Sequence, residues 1–112
     1  MRYAFVSEGK PWQTAKQNCI DMGATLMEIR SQGQYDSAIR LREEHDIWFW
    51  IGASRAAVGA NWFWDSDQEE VNLSEFWRSN GQDTRGTCVA FSNEGMYGWR
   101  CGAYYKFVCQ YN

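Results

Sequence analysis

Few residues in this chain could carry chemistry. The four cysteines, Cys19, Cys88, Cys101 and Cys109, offer cross-links or metal ligation. The single histidine, His45, has no second imidazole for a metal triad or acid–base relay. It lies near the end of an amphipathic helical stretch, where capping carbonyls is its expected role. The run Asp65-Ser66-Asp67-Gln68-Glu69-Glu70 supplies carboxylates, with Asp65, Asp67 and Glu69 the weak candidate set for calcium. No glycine sits among these acids to make a tight liganding turn, so a solvated loop is the preferred reading. Asn72-Leu73-Ser74 is an N-glycosylation sequon. The richest group is aromatic and cationic: Trp77, Tyr97, Trp99, Tyr104 and Tyr105 among Arg78, Arg85 and Arg100. Tryptophan, tyrosine and arginine are the usual anchors of binding surfaces. Nothing points to a carboxylate pair for glycoside hydrolysis, and no enzyme is expected.

The cysteines are read as disulfides. No two lie two to four residues apart, which argues against a zinc site. Four free thiols in a cytosolic protein is the alternative, but small Trp-rich domains with cysteines are typically secreted. Cys88 and Cys101 lie symmetrically about Glu94-Gly95. A hairpin of Thr87–Ser92 and Met96–Arg100 turning there would bring them together, leaving Cys19 for Cys109. In the chain-entropy model the long loop contributes roughly 4–5 kcal/mol and the short one about 3 kcal/mol.

These groups need a scaffold. A chain of 112 residues, 45% apolar and 17% aromatic, makes one domain with a modest core. Net charge is -3, and no basic cluster suggests nucleic acid as a partner. No apolar run approaches membrane-spanning length, so no membrane insertion is expected. Met1 stands directly before a strand-like run, so a mature domain or fragment without a signal peptide is expected. Tyr3–Ser7 reads as a short strand. Pro11 is expected in the first turn of a helix whose inner face is Trp12, Ala15, Cys19 and Met22, ended by Gly23. Ala24–Ile29 reads as extended. Ser31 and Gln34 read as a capping box opening a second helix to about His45, with Tyr35, Ala38 and Ile39 inward. Arg40, Arg42, Glu43 and Glu44 would be its solvated face. Trp48–Gly52 reads as a strand buried on both faces, with Trp62-Phe63-Trp64 as its hairpin-like neighbour. Ser54–Ala60 is a small-residue loop. Asp65–Arg85 is a long aperiodic loop, a length seldom kept unless functional. Trp77 is expected to pin it from the core. Tyr97 and Trp99 alternate and so share a face. The pattern leaves open whether that face is core or ligand surface. Tyr104–Gln110 closes an α+β domain.

In order along the chain, Tyr3, Trp12-x-x-Ala15-x-x-x-Cys19, Gly23-Ala24-x-Leu26 and Phe49-Trp50-Ile51-Gly52 are followed by Trp62-x-Trp64. Phe76-Trp77, Cys88-Val89, Cys101 and Phe107-Val108-Cys109 complete the set. With these motifs the chain resembles the C-type lectin-like domain in its short form, over essentially its whole length. The resemblance implies an α+β fold of two helices flanking two small antiparallel sheets, with a long ligand-binding loop. It implies the disulfides Cys19–Cys109 and Cys88–Cys101, in agreement with the pairing above.

Calcium-dependent members carry Glu-Pro-Asn or Gln-Pro-Asp in the loop and Trp-Asn-Asp before the third cysteine. Here the loop reads Asn80-Gly81-Gln82-Asp83-Thr84, and Met96-Tyr97-Gly98-Trp99-Arg100 precedes Cys101. The one proline is Pro11, and Gly86 stands where the family often has glutamate. No calcium or other cofactor is therefore expected at the usual site, given its need for several oxygens. The expectation is a non-enzymatic recognition domain, secreted or on the extracellular side of the cell surface. Its ligand surface would be Gln82, Asp83, Arg85, Glu94, Tyr97, Trp99 and Arg100, and its ligand a protein or glycoprotein. A galactose-type lectin using Gln82-Asp83 is the alternative. A homodimer is compatible with the exposed aromatics.

Overall fold

The computed structural model describes residues 2–71 and 74–111, so the sequon asparagine, Asn72, lies outside the described residues. Strand β1 (Arg2–Lys10) is longer than its alternation suggests, because pairing with β7 (Tyr105–Tyr111) resumes at Lys10 opposite Tyr105 after an irregularity. Helix α1 (Trp12–Asp21) follows. Pro11 is its N-cap and not part of its first turn: ψ of 155° is extended, and the Pro11 carbonyl accepts the Ala15 N–H at 2.9 Å. Trp12, Ala15 and Cys19 are buried, but Met22 is 42% exposed. The helix has already ended there, so Met22 leaves the apolar stripe. Gly23 takes φ of +76°, and the N–H groups of Gly23 and Ala24 bond the carbonyls of Ile20 and Cys19, a Schellman closure.

After β2 (Thr25–Leu26), helix α2 (Gln32–His45) opens on Ser31, whose hydroxyl accepts the Gln34 N–H at 3.2 Å. The reciprocal half of the expected capping box is displaced by one residue: the Gln34 side chain accepts the N–H of Arg30, at 2.6 Å. Asp46, in the left-handed region, ends the helix. His45 does not serve as the cap. Its ring lies flat on Phe5 of β1, with centroids 3.7 Å apart.

Strand β3 (Phe49–Ser54) is buried along Phe49–Ala53, and its side chains alternate between two cores. Phe49 and Ile51 pack with Trp62, Trp64, Trp77 and Phe91, while Trp50 packs with Trp12, Tyr97, Phe107 and both half-cystines of Cys19–Cys109. Each such side chain contributes about 1.5–3 kcal/mol by burial. β4 (Phe63–Trp64) pairs with β3 as expected. β3 also pairs in parallel with β7 at Phe49–Lys106 and Trp50–Phe107. That contact fuses the two expected small sheets into one of seven strands, in the order β1-β7-β3-β5-β6, with β2 on β7 and β4 on β3.

Strands β5 (Cys88–Ser92) and β6 (Gly95–Trp99) form the expected hairpin, turning one residue earlier than the cysteine symmetry implies, at Asn93-Glu94. Cys88 therefore faces Trp99, and Cys101 lies past the strand in a turn that curls it back. Both disulfides, Cys19–Cys109 and Cys88–Cys101, are present, with Cα separations of 5.4 and 5.2 Å.

Candidate functional site

β6 is the edge of the sheet, and the segment between β4 and β5 folds over it. Among the described residues it holds two short 3-10 turns, Ser74–Phe76 and Gly81–Asp83, and single bridges of Glu70 to Phe63 and of Trp77 to Met96 on β6, with no extended ladder. Such a segment needs something other than a hydrogen-bond ladder to fix it. Arg55, directly after β3, provides that. Its guanidinium donates to the carbonyls of Gln82 (3.3 Å), Thr84 (2.6 Å) and Gly86 (2.9 and 3.1 Å). It lies over the Trp62 ring at 4.2 Å, and the Trp62 indole N–H donates to the Gln82 carbonyl at 3.3 Å. Burial lowers the Arg55 pKa from its usual value, against the opposing attraction of Asp83. An arginine still stays charged, so a buried cation is surrounded by loop carbonyls.

At Gly86 the loop touches β6 backbone to backbone. A Cβ there would lie 2.1 Å from the Trp99 carbonyl carbon, so only glycine fits. This bears on the expected calcium chemistry. A glutamate side chain, which the resemblance would place here, has no room in this loop, and three nearby carbonyls already accept from Arg55. Among the described residues no three His, Cys, Asp or Glu side chains cluster as a metal set. A carboxylate ligand at position 86 therefore does not fit this loop.

The acidic run is largely exposed and is paired with basic side chains. Arg30 bonds Asp67 (2.8 Å), Glu69 (3.2 Å) and the buried Glu28 (2.8 Å), and Lys16 bonds Asp65 (3.1 Å). Glu28 also accepts the Ser66 N–H, at 3.2 Å. The tight turn that seemed to require glycine is made by Gln68, at φ of +61°. Hydrogen bonds from Arg30 lead in holding the Asp67 carboxyl below its usual pKa.

The seven sequence-derived ligand residues separate into groups. Arg85, Trp99 and Arg100 come together with Thr84 and Gly86 around an open cleft of about 280 Å³. Gln82 and Asp83 are exposed but line another cleft, of about 240 Å³, with Asn61 and Glu70. Glu94 is exposed in the hairpin turn, at the opposite end of β5–β6 from Trp99. Tyr97 is withdrawn from the surface at 1% exposure. Its hydroxyl bonds the Tyr105 hydroxyl at 3.2 Å, its ring meets Trp48 and Trp99 edge-on, and Arg78 covers it at 4.6 Å. Burial pushes its pKa far above the phenol range. Tyr97 is therefore core, whereas Trp99, two residues on, is half-buried where the strand ends. Trp77 is buried as expected, against Trp62. The sequence reading missed Arg55. The available signal was a lone charge inside the small-residue run Ser54–Ala60, next to a fully buried strand.

A family model described as the Lectin C-type domain matches residues 8–111. The chain belongs to the C-type lectin domain family. Among curated proteins this lectin-type domain is 30% identical over 110 residues to C-type lectin domain family 12 member B of Bos taurus, covering 96% of the chain and 40% of that protein. It is 26% identical over 108 residues to ladderlectin of Oncorhynchus mykiss, covering 89% of the chain and 56% of that protein. The chain thus spans about half or less of the length of these relatives. Among solved structures, TC14, a C-type lectin from the tunicate Polyandrocarpa misakiensis, superposes with a TM-score of 0.84 at 17% identity, over 99% of this chain and 97% of that one. Human lithostathine gives 0.83 at 21% identity, over 96% and 88%. At those identities the likeness is one of fold.

Proposed function

We propose that this C-type lectin domain is a non-enzymatic recognition module, working outside the cell or on its surface. It binds a protein or glycoprotein partner through the long-loop surface without calcium at the family's usual position. The observation that carries this reading is the bracing of the loop by Arg55. A guanidinium satisfies the carbonyls of Gln82, Thr84 and Gly86, so the loop has its shape without a metal. The close approach at Gly86 supports the same reading. The galactose-type alternative through Gln82 and Asp83 has less support. The Gln82 carbonyl is engaged by Arg55 and Trp62, and the two side chains lie outside the cleft that holds Trp99. Calorimetric titration of the folded domain with calcium, and a glycan array with and without chelator, test the proposal. The expected result is no calcium heat and chelator-insensitive ligand binding. Chelator-sensitive galactose binding overturns it.

A further inference from the structure

We propose that the Cys88–Cys101 bridge is a thiol–disulfide exchange site, opened in the folded domain by an external dithiol reductant that attacks at Cys101. Opening it unfastens the two segments that line the cleft beside Trp99. The proposal goes beyond the recognition reading and does not depend on it.

The two bridges have different surroundings. Cys19 and Cys109 are both fully buried, in the core that holds Trp50. Cys88 is 3% exposed, but Cys101 lies in a turn past β6 and is only half-buried. A thiolate must reach a sulfur before it can exchange, so Cys101 is the one entry point among the four. All four cysteines are paired, so the attacking thiol has to come from outside.

Charge favours the same sulfur. Arg100 directly precedes Cys101, and Arg85 lines the same cleft as Arg100. Both are exposed, and among the described residues neither has an ion-pair partner. Two unanswered guanidinium groups draw in an anionic thiolate and favour the thiolate form of a neighbouring cysteine. The Thr87 hydroxyl lies 3.2 Å from Cys101 Sγ. A bridged sulfur carries no proton, so the hydroxyl is the donor, placed to stabilise that sulfur when it leaves.

The exchange runs in two displacements. A thiolate of the reductant attacks Cys101 Sγ, and the bond to Cys88 breaks with its electron pair on Cys88 Sγ, which takes up a proton. The reductant's second thiolate then attacks its own sulfur in the mixed disulfide and expels the Cys101 thiolate, which is protonated in turn. Two electrons and two protons pass from the dithiol, which ends as a disulfide, to the bridge, which ends as two thiols.

The fold can survive this step. The bridge spans 13 residues, against 90 for Cys19–Cys109, so less loop-closure entropy is released when it opens. The β5–β6 ladder stays, as does the bond from the Trp12 N–H to the Cys101 carbonyl at 2.9 Å. What goes is a fastening. Residues 84–86 and residues 99–100 line the cleft, and the bridge joins the chain just after each segment.

The test treats the intact domain with dithiothreitol under native conditions, quenches by alkylation and locates the labels by mass spectrometry. Cys88 and Cys101 are expected to be labelled together, roughly tenfold or more faster than Cys19 and Cys109, with native circular dichroism retained. Glutathione, a monothiol, is expected to leave its adduct on Cys101. The double variant Arg85→Gln/Arg100→Gln should slow anionic glutathione roughly threefold or more at low salt without slowing cationic cysteamine. The Trp99 indole N–H signal should shift on reduction, and Cys88→Ala/Cys101→Ala should reproduce the shift. Opening of Cys19–Cys109 first, or at the same rate, overturns the proposal. So does reduction of Cys88–Cys101 that rises with denaturant in step with global unfolding, or an adduct confined to Cys88. Equal effects of the arginine substitutions on glutathione and cysteamine overturn the role given to charge. An unmoved Trp99 signal overturns the coupling to the cleft.

Discussion

Two arginines secure the two halves of the long loop, and they do so by different physics. Arg30 holds the first half through carboxylates, of which Asp67 and Glu69 are more than half exposed. Arg55 holds the second half through three carbonyls, and it is 9% exposed and covered by Trp62. The first device is electrostatic and open to salt; the second is a set of hydrogen bonds sheltered from water. The difference teaches where a metal's structural role can go. A cation with directional donors can organise a loop through the same class of oxygen that a calcium ion would use, provided no competing ligand side chain intrudes.

The sharpest way to break this comparison is Arg55→Met. Removing the guanidinium leaves three carbonyls without that donor, two of them with no other side-chain donor shown, and the expected loss is about 3–5 kcal/mol in urea unfolding. Loss of less than about 1 kcal/mol would mean that the loop is held by its aromatic anchors alone. Gly86→Ala comes next. Its new methyl must displace the Trp99 backbone, and about 2–3 kcal/mol should be lost, with the Trp99 indole signal shifted. Arg30→Met should cost about 1–2 kcal/mol, much of it from leaving the buried Glu28 without its cation. Most of the contribution from the exposed pairs should vanish at high salt, whereas the Arg55 effect should persist.

The smallest effect is a pH dependence. The Asp67 carboxyl has a lower pKa folded than its ordinary 3.8, so the unfolded chain binds its proton first as pH falls. Its contribution is therefore complete above about pH 5 and is lost below pH 4, as pH falls through the folded value. Asp67→Asn should flatten that part of the stability–pH curve measured by thermal unfolding. An unchanged slope would place the acid sensitivity elsewhere.

How much of this was legible beforehand depended on whether a residue's partner is close in sequence or of a telling type. The Ser31 cap and the Gly23 stop are local signals, and they hold; the buried run holds from Phe49, but Trp48, expected to open it, lies before the strand and is 38% exposed. The cysteine pairing holds although the hairpin turn is one residue off, since a side chain in a turn can bend back by that much. Arg55 left little trace because its partners are backbone carbonyls some thirty residues away, which any residue type could provide. Tyr97, whose face the pattern left open, was counted among the ligand residues; rings from elsewhere in the fold, Trp48 and Tyr105, and Arg78 from the loop make it core. His45 was misread for a similar reason: the Phe5 ring offered a better contact than the helix end. The ligand residues were chosen as one set from one stretch, but the loop's path divides them between separate clefts.

The pairing of β1 with β7 sets Arg2 opposite Tyr111, at the margin of the sheet farthest from β6. Anything joined at either terminus would depart from the same side, away from Arg85 and Arg100. A biotin tag or fusion partner at one terminus would therefore anchor the domain with its cleft turned toward solution, the orientation that surface-based binding assays need.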